Sequence, residues 1–135
     1  MWKYLLNNVT TPSTSGYQFK MQHSFDKRKD ESSRLKEKHP DKIPIILEKA
    51  GDVSLPSIDK QKFLMQSNVT IGQFLYIIRS KIKLDASQSL FLFIDNSHIP
   101  TTSISIGEVF EKYGDQDGFL YMTYSAQQTF GLTFS

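Results

Sequence analysis

The chain of 135 residues contains no cysteine. This absence excludes a disulfide scaffold, a thiol nucleophile and a thiolate metal site. Long apolar runs are also missing, because no segment approaches the roughly 20 consecutive apolar residues of a membrane-spanning helix. The apolar stretch within residues 1–6 is too short for a secretory signal. We therefore expect a protein without disulfides and without a membrane span of its own.

Catalytic and nucleotide-binding motifs are absent too. His23, His39 and His98 are scattered along the chain, without the spacing of metal ligands. No nucleophile elbow and no Walker or Rossmann glycine pattern occurs. We therefore expect neither an enzyme, nor a metal site, nor a bound cofactor.

Charge is nearly balanced overall but uneven along the chain. The net charge is +2, with 10 basic and 6 acidic side chains in residues 1–50 and 6 basic and 8 acidic ones in the remainder. The bases of the first half interleave with acids, and aromatic residues are not placed on a basic strand as in RNA-binding sheets, so we expect no nucleic-acid binding. Binding of nucleic acid or an anionic membrane through residues 20–49 is an alternative that a strong salt dependence would reveal.

Apolar patterning and helix-capping signals predict the secondary structure. Residues 24–38 form a polar helix in this prediction, with Ser24 as its cap and an Asp30–Arg34 pair on its surface. Capping boxes that begin at Thr70 and Ser105 predict two further helices. The first predicted strand is apolar on both sides, so we expect both of its faces to be covered. Four strands are predicted, at residues 43–48, 60–65, 90–94 and 119–124.

The resulting order is helix, strand, strand, helix, strand, short helix, strand. It predicts an α+β fold, a ubiquitin-like β-grasp with a four-stranded mixed sheet and an added N-terminal helical subdomain. Residues 1–16 end in a run of Thr, Ser and Pro that predicts a disordered extension. A short docking or membrane-touching element remains an alternative there, because the extension carries apolar side chains at Trp2, Tyr4, Leu5 and Leu6.

Several separated strings resemble one known family. They are FDKR at 25–28, HPDKIPIILEK at 39–49, DKQKFL at 59–64, TIGQF at 70–74, IR at 78–79, FLYMTYS at 119–125 and FG at 130–131. In order and spacing they resemble the autophagy-related protein eight family, which includes the light-chain-three and GABA-receptor-associated proteins. The resemblance runs from about Tyr17 to Gly131, with an insertion of about one residue near Ser97. It implies a ubiquitin-like domain over residues 17–131 and a tail, 132–135, that is removed.

The resemblance also implies a lipid-conjugated modifier and not an enzyme. Members of this family are processed by a cysteine protease, passed along by activating and conjugating enzymes, and joined to phosphatidylethanolamine. By this resemblance the lipid is attached at Gly131, and the processing site is formed by Phe130, Gly131 and Leu132. The expected location is the cytoplasm and, for the lipid-anchored form, the autophagosome membrane. No cofactor is implied.

A second implied activity is the capture of cargo-receptor peptides with an aromatic-x-x-aliphatic motif at the sheet edge. The resemblance places an aromatic pocket at Glu31, Leu35, Pro44, Ile46, Lys62, Leu64 and Phe119. It places an aliphatic pocket at Phe63, Met65, Val69, Phe74 and Ile77. Cations that would attract acidic residues beside the motif are Lys42, Lys60, Arg79 and Lys81.

Some positions depart from the family pattern. Gln66 and Ser24 stand where prolines are usual, and residues 1–16 share no motif with the family. For each apolar pocket residue taken alone, core packing is the alternative role. For the whole chain, the alternative is an unconjugated ubiquitin-like adaptor in trafficking or on the cytoskeleton, which would leave Gly131 unused.

Overall fold

A computed structural model describes residues 16–51, 55–95 and 98–126 of the chain. The predictions for residues 1–15 and for Phe130, Gly131, Leu132 and the tail lie outside these ranges. In chain order the described elements are α1 (Gln18–Gln22), α2 (Phe25–Lys38), β1 (Lys42–Lys49), β2 (Lys62–Gln66), α3 (Ile71–Ile82), β3 (Phe91–Ile94), α4 (Ile106–Tyr113) and β4 (Leu120–Ser125).

The four strands form one mixed sheet in the order β2-β1-β4-β3. β1 and β4 run parallel at the centre, and the two outer pairs are antiparallel. This arrangement confirms the predicted β-grasp. Pro44 is tolerated in the central strand because the pairing of β1 with β4 begins only at Ile45, so no β4 partner stands beside the missing N–H.

β1 is covered on both faces, as its sequence predicts. Ile43, Ile45 and Leu47 belong to the main core, which lies between the sheet and helices α3 and α4. Ile46 points to the other face and joins a second cluster under the N-terminal helices. That cluster contains Tyr17, Phe19, Ile46, Phe119 and Tyr121, with Leu35 packed against it.

The predicted capping signals are confirmed. In α3 the Thr70 hydroxyl accepts the Gln73 N–H at 3.1 Å, and the Gln73 side chain accepts the Thr70 N–H at 2.9 Å. Ser105 makes the same arrangement for α4, and Ser24 caps α2. Each such cap stabilises a helix by about 1 kcal/mol. Because a cap involves residues only three positions apart, the first residues of these helices can be predicted from the sequence.

Strand bounds differ slightly from the prediction. β2 covers Lys62–Gln66 and not 60–65, because its pairing with β1 begins at Ile46 and Lys62. β3 and β4 each begin one residue later than predicted. Within β2, Phe63 points to the main core.

Helix α1 was not predicted. It has five residues and no side-chain cap of its own, and such a short helix is unstable by itself. Glu48 of β1 stabilises its first turn, because its two carboxylate oxygens accept the N–H groups of Gln18 and Phe19, each at 2.9 Å. The stabilising group therefore comes from a residue about thirty positions away in the chain, which local sequence patterns do not reveal.

Candidate functional site

β2 lies at one edge of the sheet. It pairs with β1 on one side, and within the described ranges no strand pairs with its other side. An edge strand of this kind presents backbone N–H and C=O groups to which another extended segment can bind. The edge that the resemblance implies is therefore present in the fold.

On the α2 side of β2, the strand register brings the predicted aromatic-pocket residues together. Leu64 stands opposite Pro44, and Lys62 stands opposite Ile46. Leu35 of α2 packs against the cluster that contains Ile46 and Phe119. Ile46 and Phe119 are 0% exposed, whereas Leu35 and Leu64 are half-buried. The accessible apolar surface on this side is thus formed by the half-buried leucines, with the fully buried side chains below them.

An ion pair spans this aromatic side of the edge. The Lys62 ammonium lies 2.8 Å from a carboxylate oxygen of Glu31, so β2 and α2 are bridged. The same ammonium lies 5.3 Å from the centre of the Phe19 ring. The Lys62 side chain is 53% exposed and that of Glu31 is 35% exposed, and surface pairs stabilise by about 1 kcal/mol or less. A ligand can therefore displace this pair at small cost.

Phe19 is a wall of this region that the sequence did not reveal. Its ring packs edge-on against Phe119 at 5.2 Å between centroids, and it is 5% exposed. The sequence signal that could have revealed Phe19 is the aromatic pair Tyr17 and Phe19, which stands where the family resemblance begins. The sequence does not predict α1, however, and so it does not show where these two aromatic side chains pack.

A buried carboxylate fixes the position of α2 over the sheet. Asp117 is 0% exposed, and its Oδ2 accepts the Arg28 Nε at 2.8 Å and the Tyr121 hydroxyl at 2.5 Å. Arg28 also donates to the carbonyl of His23 at 2.6 Å. Burial, together with the neighbouring Asp117 carboxylate, raises the pKa of Tyr121. This network holds the helix that carries Glu31 and Leu35 beside β2.

On the α3 side of β2, the predicted aliphatic-pocket residues form two groups. Phe63 and Phe74 pack edge-on at 5.3 Å between centroids and are 4% and 0% exposed. Met65, Val69 and Ile77 are half-buried at the margin of the main core. The phenyl rings therefore form the interior, and the aliphatic side chains form the accessible margin.

A hollow of about 600 Å³ opens beside this margin. Val69 and Ile77 line it, and Tyr76, which is 74% exposed, extends it outward. Neither Tyr76 nor Thr102, another lining residue, belongs to the predicted site. Their contribution depends on the fold of α3 against the loop before α4, which no short motif specifies.

The two sides of β2 match the spacing of the aromatic-x-x-aliphatic motif that the family resemblance implies. Successive residues of a strand point to opposite faces, so residues i and i+3 of an added strand lie on opposite faces about 10 Å apart. The α2 side and the α3 side of the β2 edge are such a pair of faces. A ligand with large side chains at i and i+3 can therefore fill both at once.

The predicted steering cations have different surroundings. Lys42 stands opposite Gln66, at the end of β2, and Lys60 precedes the strand with its ammonium 5.3 Å from the Phe63 ring centre. Arg79 donates to the Gln88 carbonyl at 3.0 Å and so supports the loop after α3. Lys81 is exposed in the last turn of α3. Lys42 and Lys60 thus flank the two ends of the edge strand.

Other site types lack support in the described part of the chain. Within residues 16–51, 55–95 and 98–126, no three His, Asp or Glu side chains are grouped so that they could hold a metal ion. None of the helices in those ranges is long and apolar enough to cross a bilayer.

Comparison with known proteins identifies the family to which this fold belongs. The family model described as "Autophagy protein Atg8 ubiquitin like" matches residues 27–131. Autophagy-related protein 8e of Arabidopsis thaliana is 50% identical over 113 residues, which cover 84% of this chain and 92% of the relative. Autophagy-related protein 8 of Schizosaccharomyces pombe is 47% identical over 117 residues, covering 87% and 96%. The crystal structure of Trypanosoma brucei ATG8 superposes with a TM-score of 0.77 at 38% identity, covering 85% of this chain and 98% of that one.

Proposed function

The chain belongs to the Atg8 family of ubiquitin-like autophagy proteins, and we propose that it acts as a lipid-conjugated modifier that also captures peptides. In this proposal Gly131 is joined to phosphatidylethanolamine, and the open edge of β2 binds aromatic-x-x-aliphatic motifs of cargo receptors. The conjugate resides on the autophagosome membrane, and the free protein resides in the cytoplasm.

The assignment of Gly131 rests on the extent of the family match, which ends at that residue. A glycine has no side chain, so its backbone can pass through a narrow enzyme channel and its carbonyl is unhindered. A phospholipid carries two acyl chains, and each buried CH₂ stabilises membrane binding by about 0.8 kcal/mol. Conjugation would therefore anchor the protein without a spanning segment of its own.

Substitution of Gly131 tests the lipid conjugation. In a reaction reconstituted with the processing protease, the activating and conjugating enzymes and liposomes, Gly131→Ala should yield no lipid conjugate and unfold at the same temperature as the parent. Gly51→Ala is a matched control, because a Cβ at Gly51 meets nothing within 4 Å. Normal conjugation of the Gly131→Ala chain would contradict the proposal.

Peptide capture is supported by the single observation that, among the described residues, β2 has no strand on its outer side and carries half-buried apolar side chains on both of its faces. Leu35 and Leu64 provide apolar surface on the α2 side, and Met65 and Ile77 provide it on the α3 side. Backbone hydrogen bonds along β2 would hold the peptide, and the two apolar sides would select its residues.

The β2 edge, with Leu35 and Leu64 on one side and Met65 and Ile77 on the other, is called the groove below. Removal of the aromatic side of this groove tests the second activity. A Lys62→Ala, Leu64→Ala chain should bind an acidic aromatic-x-x-aliphatic peptide at least tenfold more weakly in isothermal titration. Lys112→Ala, Leu84→Ala is a control of the same composition, placed on α4 and after α3, with similarly exposed side chains. Equal affinity of the two double variants would refute the groove. Peptide binding by the parent chain, together with no lipid conjugate from it in the reconstituted reaction, would instead favour an unconjugated adaptor.

A further inference from the structure

The first residues of the chain carry a motif of the same spacing as the groove. Trp2 and Leu5 form an aromatic-x-x-aliphatic pair. We propose that this segment binds the groove of its own chain, so that residues 2–5 cover β2 until a competing peptide displaces them. The inference rests on the proposed groove, and it makes the extension an intramolecular inhibitor of peptide capture.

Only this pair has the required spacing before the folded domain begins. The other aromatic residue of residues 1–15 is Tyr4, and three positions after it stands the polar Asn7. Pairs of the same spacing also occur at Phe74/Ile77 and Phe91/Ile94. They are built into α3 and β3, where Phe74 and Ile94 are fully buried. Trp2 and Leu5 are therefore the pair that can serve as a ligand.

The chain enters the domain next to the groove. The Phe19 ring lies 5.3 Å from the Lys62 ammonium and 5.2 Å from the Phe119 ring. Gly16 is three residues earlier, hence at most about 11 Å from Phe19 along the chain. The extension thus starts beside the aromatic end of the β2 edge.

The linker is long enough for binding within one chain. With Trp2 on the α2 side near Lys62, Leu5 lies about 10 Å farther along β2. The linker must then span this distance back along β2 plus the distance from Phe19 to Gly16, which together are about 20 Å. The eleven residue steps from Leu5 to Gly16 span up to roughly 36 Å when extended. Residues 7–15 are mostly Asn, Thr and Ser, with Val9 as their aliphatic side chain. The linker itself therefore provides little apolar surface that could compete with the groove for Trp2 and Leu5.

Charge makes this internal ligand a weak one. Residues 1–15 contain Lys3 and no acidic side chain, whereas the groove is flanked by Lys42, Lys60 and Lys62. The segment therefore lacks the electrostatic attraction that an acidic peptide would have. An effective concentration in the millimolar range for a short linker compensates for a weak intrinsic affinity. If the segment binds the groove with an intrinsic Kd of about 100 μM, self-binding lowers the apparent affinity for an external peptide about tenfold.

A segment of the same chain is a better occupant than a second copy. At micromolar protein concentration, a millimolar effective concentration favours the intramolecular complex by roughly a thousandfold. The aromatic and aliphatic positions match the two faces of the β2 edge, which a lipid surface would not require. The proposal therefore commits to residues 2–5 of the same molecule.

Fluorescence reports on this contact directly, because Trp2 is the single tryptophan of the chain. In the full chain its emission should be blue-shifted, and it should shift to the red when an acidic peptide with Phe as its aromatic residue is added. The signal should be independent of dilution from 10 to about 0.1 μM, as expected for an intramolecular complex. Lys62→Ala, Leu64→Ala should shift the emission to the red without peptide.

Affinity for the same peptide provides the second measurement. Leu5→Ala should tighten peptide binding about tenfold, which is the self-binding factor above, whereas the adjacent control Leu6→Ala should leave it unchanged. Equal affinities of these two variants together with a solvent-like Trp2 emission would overturn the inference and leave the groove intact. Dilution dependence would overturn it in favour of a second copy, and a blue shift seen only with phosphatidylethanolamine vesicles in favour of a membrane. If no variant binds the peptide, the proposed groove itself fails.

Discussion

Asp117→Asn is expected to destabilise the fold strongly through the network that docks α2. Asp117 Oδ1 accepts the Phe119 N–H at 2.9 Å, while Oδ2 accepts both the Arg28 Nε and the Tyr121 hydroxyl. An asparagine that keeps its oxygen on the Phe119 N–H must turn its NH₂ group toward two other donors. The Arg28 side chain is only 11% exposed, so its charge loses its counterion in a poorly solvated site.

The expected size follows from this burial. Removal of one partner of a buried ion pair costs about 3–5 kcal/mol. Arg28 keeps the carbonyl oxygens of His23 and Lys20 as acceptors, so we expect the lower end, about 3 kcal/mol. The control is Asp30→Asn, because Asp30 forms an exposed ion pair with Arg34 on the same helix, and loss of such a pair costs about 1 kcal/mol or less.

Urea denaturation followed by circular dichroism measures the difference. With an m-value of about 2 kcal/mol/M, the midpoint should fall by about 1.5 M for Asp117→Asn and by less than about 0.5 M for Asp30→Asn. The double variant Arg28→Met, Asp117→Asn should recover part of the loss, since it leaves no unpaired charge. Midpoints for Asp117→Asn and Asp30→Asn that agree within error would refute the assigned role of the network.

Three further perturbations address the N-terminal subdomain. Gly118 has φ +95°, and a Cβ there would overlap the Ser32 hydroxyl oxygen. Gly118→Ala should therefore cost roughly 2 kcal/mol of stability and lower the Tm by several degrees. A Tm equal to that of Gly51→Ala would contradict this. Burial acts to raise the pKa of Asp115, but hydrogen bonds from Lys20 and from the Asp117 N–H outweigh it and lower that pKa. Lys20→Met should therefore raise the Asp115 pKa in a carboxyl NMR titration. Because the folded-state pKa is depressed, the stability from this pair is present above about pH 4 and is lost as the pH falls through the folded pKa; an unchanged Asp115 pKa would exclude the linkage. Glu48→Gln removes one of two acceptors for α1, so the amides of Gln18 and Phe19 should exchange faster while those of α3 do not, and equal protection in parent and variant would argue against the Glu48 cap.

Much of the fold was predictable because its signals are local. The capping boxes at Thr70 and Ser105 lie within four consecutive residues, and the apolar strands differ from the prediction by one or two positions. Helix α1 was missed because Glu48, which stabilises its first turn, lies 29 residues beyond Phe19. Local propensity cannot supply a contact that only the folded sheet creates.

The candidate site shows the same division. The β2 edge follows from the family resemblance and the strand order, and the fold has it. The position of Phe19 beside Lys62 and the hollow that Tyr76 extends both depend on tertiary packing, so no sequence pattern reveals them. No local pattern predicts that Asp117 holds α2 over the sheet, because its partner Arg28 is 89 residues away in the chain.

The intact mass of the membrane-bound protein, isolated from cells in which autophagy is active, tests the proposed conjugation most directly. We expect a chain that lacks residues 132–135 and carries one phosphatidylethanolamine, with the lipid located on Gly131 by fragmentation. A membrane-bound chain that retains all 135 residues and carries no lipid would contradict the proposed conjugation.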